Sequence, residues 1–160
     1  MSQSGDQSID LSGIVNVAGK PDVHRTATAS GIVRLKISTI EAIRAGPVKK
    51  GDVLCTARMA AILAVKKTPE LILMCHNIPI AGVEVGFQMM QDRVKAVVTV
   101  AAVGKTGVEM EALAGVVAAL LNIWDMVKYL EKDEAGGYPD TLLEDIRVVE
   151  KRKADIELGR

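Results

Sequence analysis

A chain of 160 residues is long enough for one domain that buries about two thirds of its unfolded surface, and here 20 basic residues cancel 20 acidic ones. That balance offers no general attraction to nucleic acid or to an anionic membrane, and four aromatic residues (Phe87, Trp124, Tyr129, Tyr138) are too few for a base-stacking platform. An apolar content of 49% is high for a small soluble monomer and points to apolar surface shared between subunits.

Residues 1–12 are polar, lack an apolar signal core and read as a flexible N-terminus; with only Cys55 and Cys75 as thiols, the chain reads as reduced and cytoplasmic. A single domain over 13–153 and a C-terminal tail over 154–160 complete the expected division. Ile14 to Val17 suggests a short extended piece, followed by a turn at Gly19-Lys20-Pro21 and a polar run from Asp22 to Ser30. Alternation of Val33, Leu35 and Ile37 with Arg34 and Lys36 predicts the first strand over 32–37. Ser38 and Glu41 have capping-box spacing and Gly46-Pro47 is a stop, so a short helix is expected between them. Asp52 is a good N-cap for a helix from Val53 to about Lys67, with Ala57, Ala60, Ala61 and Ala64 on a face suited to close packing. After an apolar connection over 68–80, Val83, Val85, Phe87 and Met89 alternate with Glu84 and Gln88. A turn at Gln91-Asp92 leads into a second run over 93–103, and the two runs predict an antiparallel hairpin.

The stretch from Gly104 to Lys128 follows, and it predicts the central helix. Ala112 to Trp124 carries no charge and one strongly polar side chain, Asn122, so it belongs in a core; it is too short to cross a bilayer, which needs about 20 residues. Ala114 and Ala118 on one line, with Gly115 and Ala119 on the next, would let another helix approach closely. An acidic, glycine-containing loop (Asp133 to Pro139) leads to a last strand, where Ile146, Val148 and Glu150 alternate with Arg147 and Val149; a helix from near Asp140 is the less favoured reading. Strand, helices, strand, strand, helix, strand is the order of the ferredoxin-like split βαβ fold. That is an α+β architecture, with an antiparallel sheet and helices on one face. A second subunit is the simplest cover for its other face.

Charges stand at both ends of the central helix. Glu109 and Glu111 lie at its entrance, and Asp125 and Lys128, three apart, share a face at its exit. Glu111 and Asp125 fall within about 40° of one face but about 21 Å apart along the axis. No small substrate spans that distance, so a site using both ends needs two antiparallel copies of the helix across a two-fold axis.

Other signals admit two readings each. GKT at 104–106 resembles a phosphate loop, but Thr99 stands where the motif needs glycine, which argues against a nucleotide hydrolase. It remains either a turn with a solvated lysine or a helix start whose N–H groups and Lys105 meet an anion. Cys75-His76 lacks the spacing of a zinc motif, so no metal is expected; His76 is either structural or a contact to a polar ligand. Asp125 with Lys128 is either an exposed ion pair of little value or, if partly desolvated, a lysine with a lowered pKa suited to proton transfer. Lys50, Lys66 and Arg25 are either solvated charges or, converging, a polyphosphate site.

VNVAGK at 15–20, KKGDVLCTARMAAILAVKKT at 49–68, MCHNIP at 74–79, GKTGVEMEAL at 104–113 and WDMVK at 124–128 together resemble one family, the MoaC family of cyclic pyranopterin monophosphate synthases in molybdenum-cofactor biosynthesis. The likeness covers Val15 to Lys151, and GKTGVEMEAL followed by DMVK is its most specific part. It implies ferredoxin-like subunits paired into dimers with a shared site, three dimers forming a hexamer, with neither nucleic acid nor membrane as partner. The implied reaction converts (8S)-3',8-cyclo-7,8-dihydroguanosine 5'-triphosphate to cyclic pyranopterin monophosphate and diphosphate, a lyase reaction. No cofactor is required, and the likeness allows a Mg2+ ion on the substrate phosphates.

By matching motif, Asp125 and Lys128 are implied as the catalytic pair and Lys50 as a second essential lysine. Met74, Cys75, His76, Met110 and Glu111 match substrate-binding positions, with Glu109, Lys66, Lys20 and Arg25 as companions. Asn16, Met74 and Asn77 replace the family's usual Asp, Leu and Pro, and the tail after Lys151 lacks its glycine-rich end. A non-catalytic oligomeric module that binds a nucleotide or pterin is the alternative from another class; intact Asp125, Lys128 and Lys50 argue against it.

Overall fold

Alternating burial of small and β-branched residues builds the sheet. In the computed structural model, which describes residues 12–155, the strands are β1 (Val23–Arg34), β2 (Ile80–Met89), β3 (Arg93–Gly104) and β4 (Leu142–Ala154). The helices are α1 (Ile37–Ala45), α2 (Val53–Lys66), the single-turn α3 (Thr68–Leu71) and α4 (Glu109–Glu131). The expected flexible N-terminus, 1–12, and tail, 154–160, lie almost wholly outside the described residues. The strands form one antiparallel sheet in the order β2-β3-β1-β4, the expected α+β, ferredoxin-like arrangement.

On β3, Val94, Ala96, Val98, Val100 and Ala102 are buried, and register places Val94, Val98 and Val100 beside Val33, Ala29 and Ala27 of β1. Against this face lie Ala57, Ala61 and Val65 of α2 and Ala112, Val116, Ala119, Leu120, Ile123 and Val127 of α4. Small residues set the spacing: a Cβ added to Gly115 would lie 2.9 Å from Val65 Cγ2 and 3.0 Å from Val98 Cγ1. By length and composition α4 could cross a membrane, but more than half of its apolar window is buried inside the fold, so it is the core helix. Ala60 and Ala64, also expected on the packing face, instead line an open groove of about 510 Å³ between α2 and α4, with Leu63, Ala118 and Asn122.

Several boundaries differ from expectation. Ile14 to Val17 forms no strand; Lys20 N–H closes a turn on Val17 O at 3.0 Å. β1 begins at Val23, inside the polar run, and ends at Arg34. Its threonines lie on the face away from the helices, where Thr28 and Thr99 share a hydroxyl hydrogen bond of 2.9 Å, while alanines fill the core face. α1 starts at Ile37, and Ser38 does not cap it. Instead the fully buried Glu131, at the end of α4, accepts Lys36 N–H through both oxygens at 3.1 and 3.3 Å, and Thr141 Oγ1 donates to Glu131 Oε2 at 2.6 Å. Asp52 caps α2 as expected, its Oδ1 accepting Cys55 N–H at 2.8 Å. The last element is a strand, not a helix, and extends to Ala154. It pairs only with β1, across two register irregularities, one at Val149 and one at Asp145 and Ile146, where Asp145 takes φ 55°.

Since Gly115 has no room for a methyl group, Gly115→Ala is expected to push α4 off the sheet and cost about 1–3 kcal/mol of stability. Urea unfolding would show a lower midpoint at unchanged m; a midpoint equal to the parent's would refute the close approach described here.

Candidate active site

A two-residue hairpin sets the first cluster. Val48 and Gly51 exchange backbone hydrogen bonds of 3.0 and 2.8 Å, and Gly51 takes φ 108°, where a side chain would be strained. Lys49 and Lys50 form the tip, and Lys49 N–H donates to the phenolic oxygen of Tyr129 on α4 at 3.3 Å. That contact lays Lys50 over the last turns of α4, where Nζ donates to Asp125 Oδ2 at 2.6 Å and to Asp125 O at 2.9 Å. Lys128 Nζ meets Asp125 Oδ1 at 2.7 Å. One carboxylate thus bridges two ammonium groups and leaves the trio with a net positive charge.

These bonds govern the protonation states. The hydrogen bond from Lys128, then that from Lys50, pulls the Asp125 pKa down to about 2. The same bond raises the Lys128 pKa above its ordinary value. The expectation that desolvation lowers Lys128 is therefore overturned for the single chain: its side chain is 49% exposed, and its carboxylate partner holds the proton on. Beside the trio is a cavity of about 230 Å³ lined by Leu121, Trp124, Asp125, Lys128 and Tyr138.

The second cluster lies at the other end of α4. Met74, Cys75 and His76 from the connection after α3, and Thr106, Gly107, Glu109, Met110 and Glu111 from the start of α4, line a cavity of about 330 Å³. Glu111 is only 2% exposed. Burial raises its pKa, its own backbone N–H opposes that rise, and the charge of Glu109 adds to it. For Glu109, burial also acts upward, but the Lys151 ammonium, its own N–H and Arg25 outweigh it, and the pKa lies below the ordinary value. Burial and then Glu111 raise the Cys75 pKa, so this thiol is not a ready nucleophile. His76 Nε2 lies 2.7 Å from Val15 O; a carbonyl only accepts, so Nε2 carries the proton and Nδ1 is the open ring nitrogen of the neutral form.

The remaining expected residues are distributed less simply. Nε and Nη2 of Arg25 donate to Gly104 O and Lys105 O at 2.9 and 3.0 Å, fastening the GKT turn and leaving Nη1 outside these bonds. Lys105 in turn donates to Ala18 O at 2.7 Å. GKT is thus a braced turn, with its lysine tied to the main chain. Lys66 borders a neighbouring cavity with Ile62, Ile78, Ile80 and Val83, and Lys20 is exposed on the 17–20 turn. Sequence reasoning missed Lys151, which pairs with Glu109 from β4, and Tyr138. Among the described residues no three His, Cys, Asp or Glu side chains gather as a metal site. Within one chain the acids, thiol and imidazole occupy one end of α4 and the linked ammonium groups the other, about 21 Å apart between Glu111 and Asp125.

A model of the MoaC family matches residues 14–154. Over 140 residues the chain is 59% identical to a Methanosarcina mazei protein named probable cyclic pyranopterin monophosphate synthase, covering 88% of this chain and 89% of that one. A Thermococcus kodakarensis protein of the same name is 56% identical over 149 residues, 92% of this chain and 96% of its own. A Methanothermobacter thermautotrophicus protein, 53% identical over 143 residues (89% and 90%), is named probable cyclic pyranopterin monophosphate synthase accessory protein.

Because the folded pKa of Asp125 is depressed, the contribution of the trio is complete above the ordinary value of 3.8 and is lost as pH falls through about 2. A carbon-13 carboxyl titration of Asp125 is expected to stay flat through pH 4 and to move only near the lower value. A midpoint near 4 would show that the two lysines do not hold this carboxylate in solution.

Proposed function

The chain belongs to the MoaC family, and we propose that it acts as a cyclic pyranopterin monophosphate synthase of molybdenum-cofactor biosynthesis. Its substrate is the cyclised dihydro-GTP, and it releases diphosphate as the cyclic phosphate closes, in the manner of a phosphorus–oxygen lyase in the cytoplasm. The bridge from Asp125 to both Lys50 and Lys128 carries the reading. Opening the imidazole ring of a purine and rebuilding a pterin needs repeated proton transfers, and two lysines restrained by one carboxylate are suited to them. Lys128, its pKa raised by Asp125, donates protons, and both lysines counter the charge of the departing diphosphate. To accept a proton, a lysine must leave Asp125 and lose water, and a second subunit closing over this exposed trio supplies that change. These steps ask for no resident cofactor; Mg2+ belongs with the substrate phosphates.

That second subunit is another copy of this chain. Residue 118 lies midway between 111 and 125, and Ala118 lines the open groove between α2 and α4 together with the exposed apolar side chains of Leu63 and Leu71. Antiparallel pairing of two α4 helices across this groove would set the Glu111 end of each against the Lys128 end of the other, giving two sites per dimer. Met74, Cys75, His76, Met110 and Glu111 then bind substrate from one subunit, and three dimers make the hexamer.

Supplied with the cyclised dihydro-GTP, the protein is expected to yield diphosphate and the pterin product together, and Lys128→Ala to lose about 100-fold or more in kcat. Mixing inactive Glu111→Ala and Lys128→Ala subunits is expected to restore about a quarter of wild-type activity, since half the dimers are mixed and each has one intact site. Turnover by Lys128→Ala at the parent rate rules out its catalytic role, and mixtures that stay inactive rule out the shared site.

A further inference from the structure

Three of the four aromatic rings, Trp124, Tyr129 and Tyr138, stand at the Lys128 end of α4. Tyr129 is accounted for by its bond to the Lys49 turn. Trp124 and Tyr138 are not: neither belongs to the hydrophobic core, yet their rings meet edge to face at 5.7 Å between centroids and 85° between planes.

The loop that carries Tyr138 is internally braced. Asp133 N–H bonds Gly137 O at 3.0 Å, Gly136 N–H bonds Asp133 O at 3.1 Å, and Gly137 N–H bonds Asp133 Oδ1 at 2.6 Å, with Gly136 at φ 83°. Its two feet are joined by the buried bond from Thr141 Oγ1 to Glu131, a carboxylate three residues beyond Lys128 on the same helix. Because Glu131 also receives Lys36 N–H at the start of α1, the foot of the loop is tied to the body of the fold, and the loop sets a phenol beside the cavity whose other wall is Asp125 and Lys128.

The geometry assigns Tyr138 as a further substrate-contacting residue, its hydroxyl donating a hydrogen bond to the cyclised nucleotide, with Glu131 and Thr141 as the positioning residues that hold the loop. This rests on the synthase reading. Tyr138 lies too near Lys128 for a substrate proton to be exchanged there without the phenol bordering the same space.

The test compares Tyr138→Phe, Thr141→Val and the double variant in steady-state turnover. In parallel, quenching of Trp124, the single tryptophan, reports binding of the cyclised dihydro-GTP without turnover. Tyr138→Phe keeps the ring on Trp124 and is expected to lower kcat/KM about 10-fold or more, mainly through KM, and to weaken binding in parallel. Thr141→Val is expected to act in the same direction by about 3-fold, and to add little in the Tyr138→Phe background because it works through that hydroxyl. A Tyr138→Phe variant with both constants within about 2-fold of the parent overturns the contact. A Thr141→Val effect that persists in full without the hydroxyl overturns the positioning role. A parent that binds without turnover defeats the synthase reading alone, because the binding comparison still decides Tyr138; a parent that does neither defeats both.

Discussion

An α-helix rises about 1.5 Å per residue, so the 23 residues of α4 form a rod of about 35 Å whose ends cannot approach one another. Both groups of reactive side chains are fastened to that rod. Met74, Cys75 and His76 are brought to its start by the connection after α3, and Lys50 is brought to its end by the hairpin that Tyr129 receives. The interior of the rod is given over to small and aliphatic residues that seat it on β1, β3 and α2, which fixes both ends relative to the sheet. A scaffold of this kind resists bending because its core is close-packed. Chemistry that needs both ends must therefore be completed by another molecule.

The Asp125 trio carries this division into electrostatics. Its groups are roughly half exposed, so water and salt screen the pair interactions and the trio adds little to folding stability. Its importance is positional. Asp125 holds two like charges closer together than they would otherwise stay, and it can release either one when a stronger anion or a drier surrounding is offered. At the opposite end Glu111 shows the reverse arrangement: a nearly buried carboxyl whose raised pKa marks a charge with too little compensation, and none of the ion pairs among the described residues includes it. An excess of ammonium at one end and an undercompensated carboxyl at the other are complementary defects.

Elements governed by local rules were legible from the sequence. The β2–β3 hairpin follows from strict alternation and its turn, α2 from its Asp52 cap, and the Asp125–Lys128 contact from helical spacing. What was not legible depends on partners distant in sequence. The start of α1 is capped by Glu131, and no local motif announces that. Residues 26–30 of β1 are threonine, alanine and serine, whose strand character comes from pairing on both sides rather than from apolar alternation. Arg25 could be recognised as a cation near the site, but not as one that also fastens the carbonyls of the GKT turn. Lys151 and Tyr138 come from an edge strand and a polar loop, where composition alone gives no reason to prefer one residue over its neighbours.

The terminal charges of α4 bear on the helix itself and on the proposed dimer. Glu109 and Glu111 in the first turn and Lys128 in the last oppose the helix dipole, which favours anions at the N-terminus and cations at the C-terminus. Asp125 and Glu131 offset Lys128 near the exit of the helix, so the positive excess of the trio there depends on Lys50, which the hairpin brings to Asp125. Parallel pairing would set acid against acid and ammonium against ammonium; antiparallel pairing sets each end against its opposite and lets the dipoles compensate. In the proposed antiparallel dimer, Glu111 of one copy would face the lysines at the far end of the other, so reversing the charge of Glu111 or Lys128 would weaken both the helix end and the pairing.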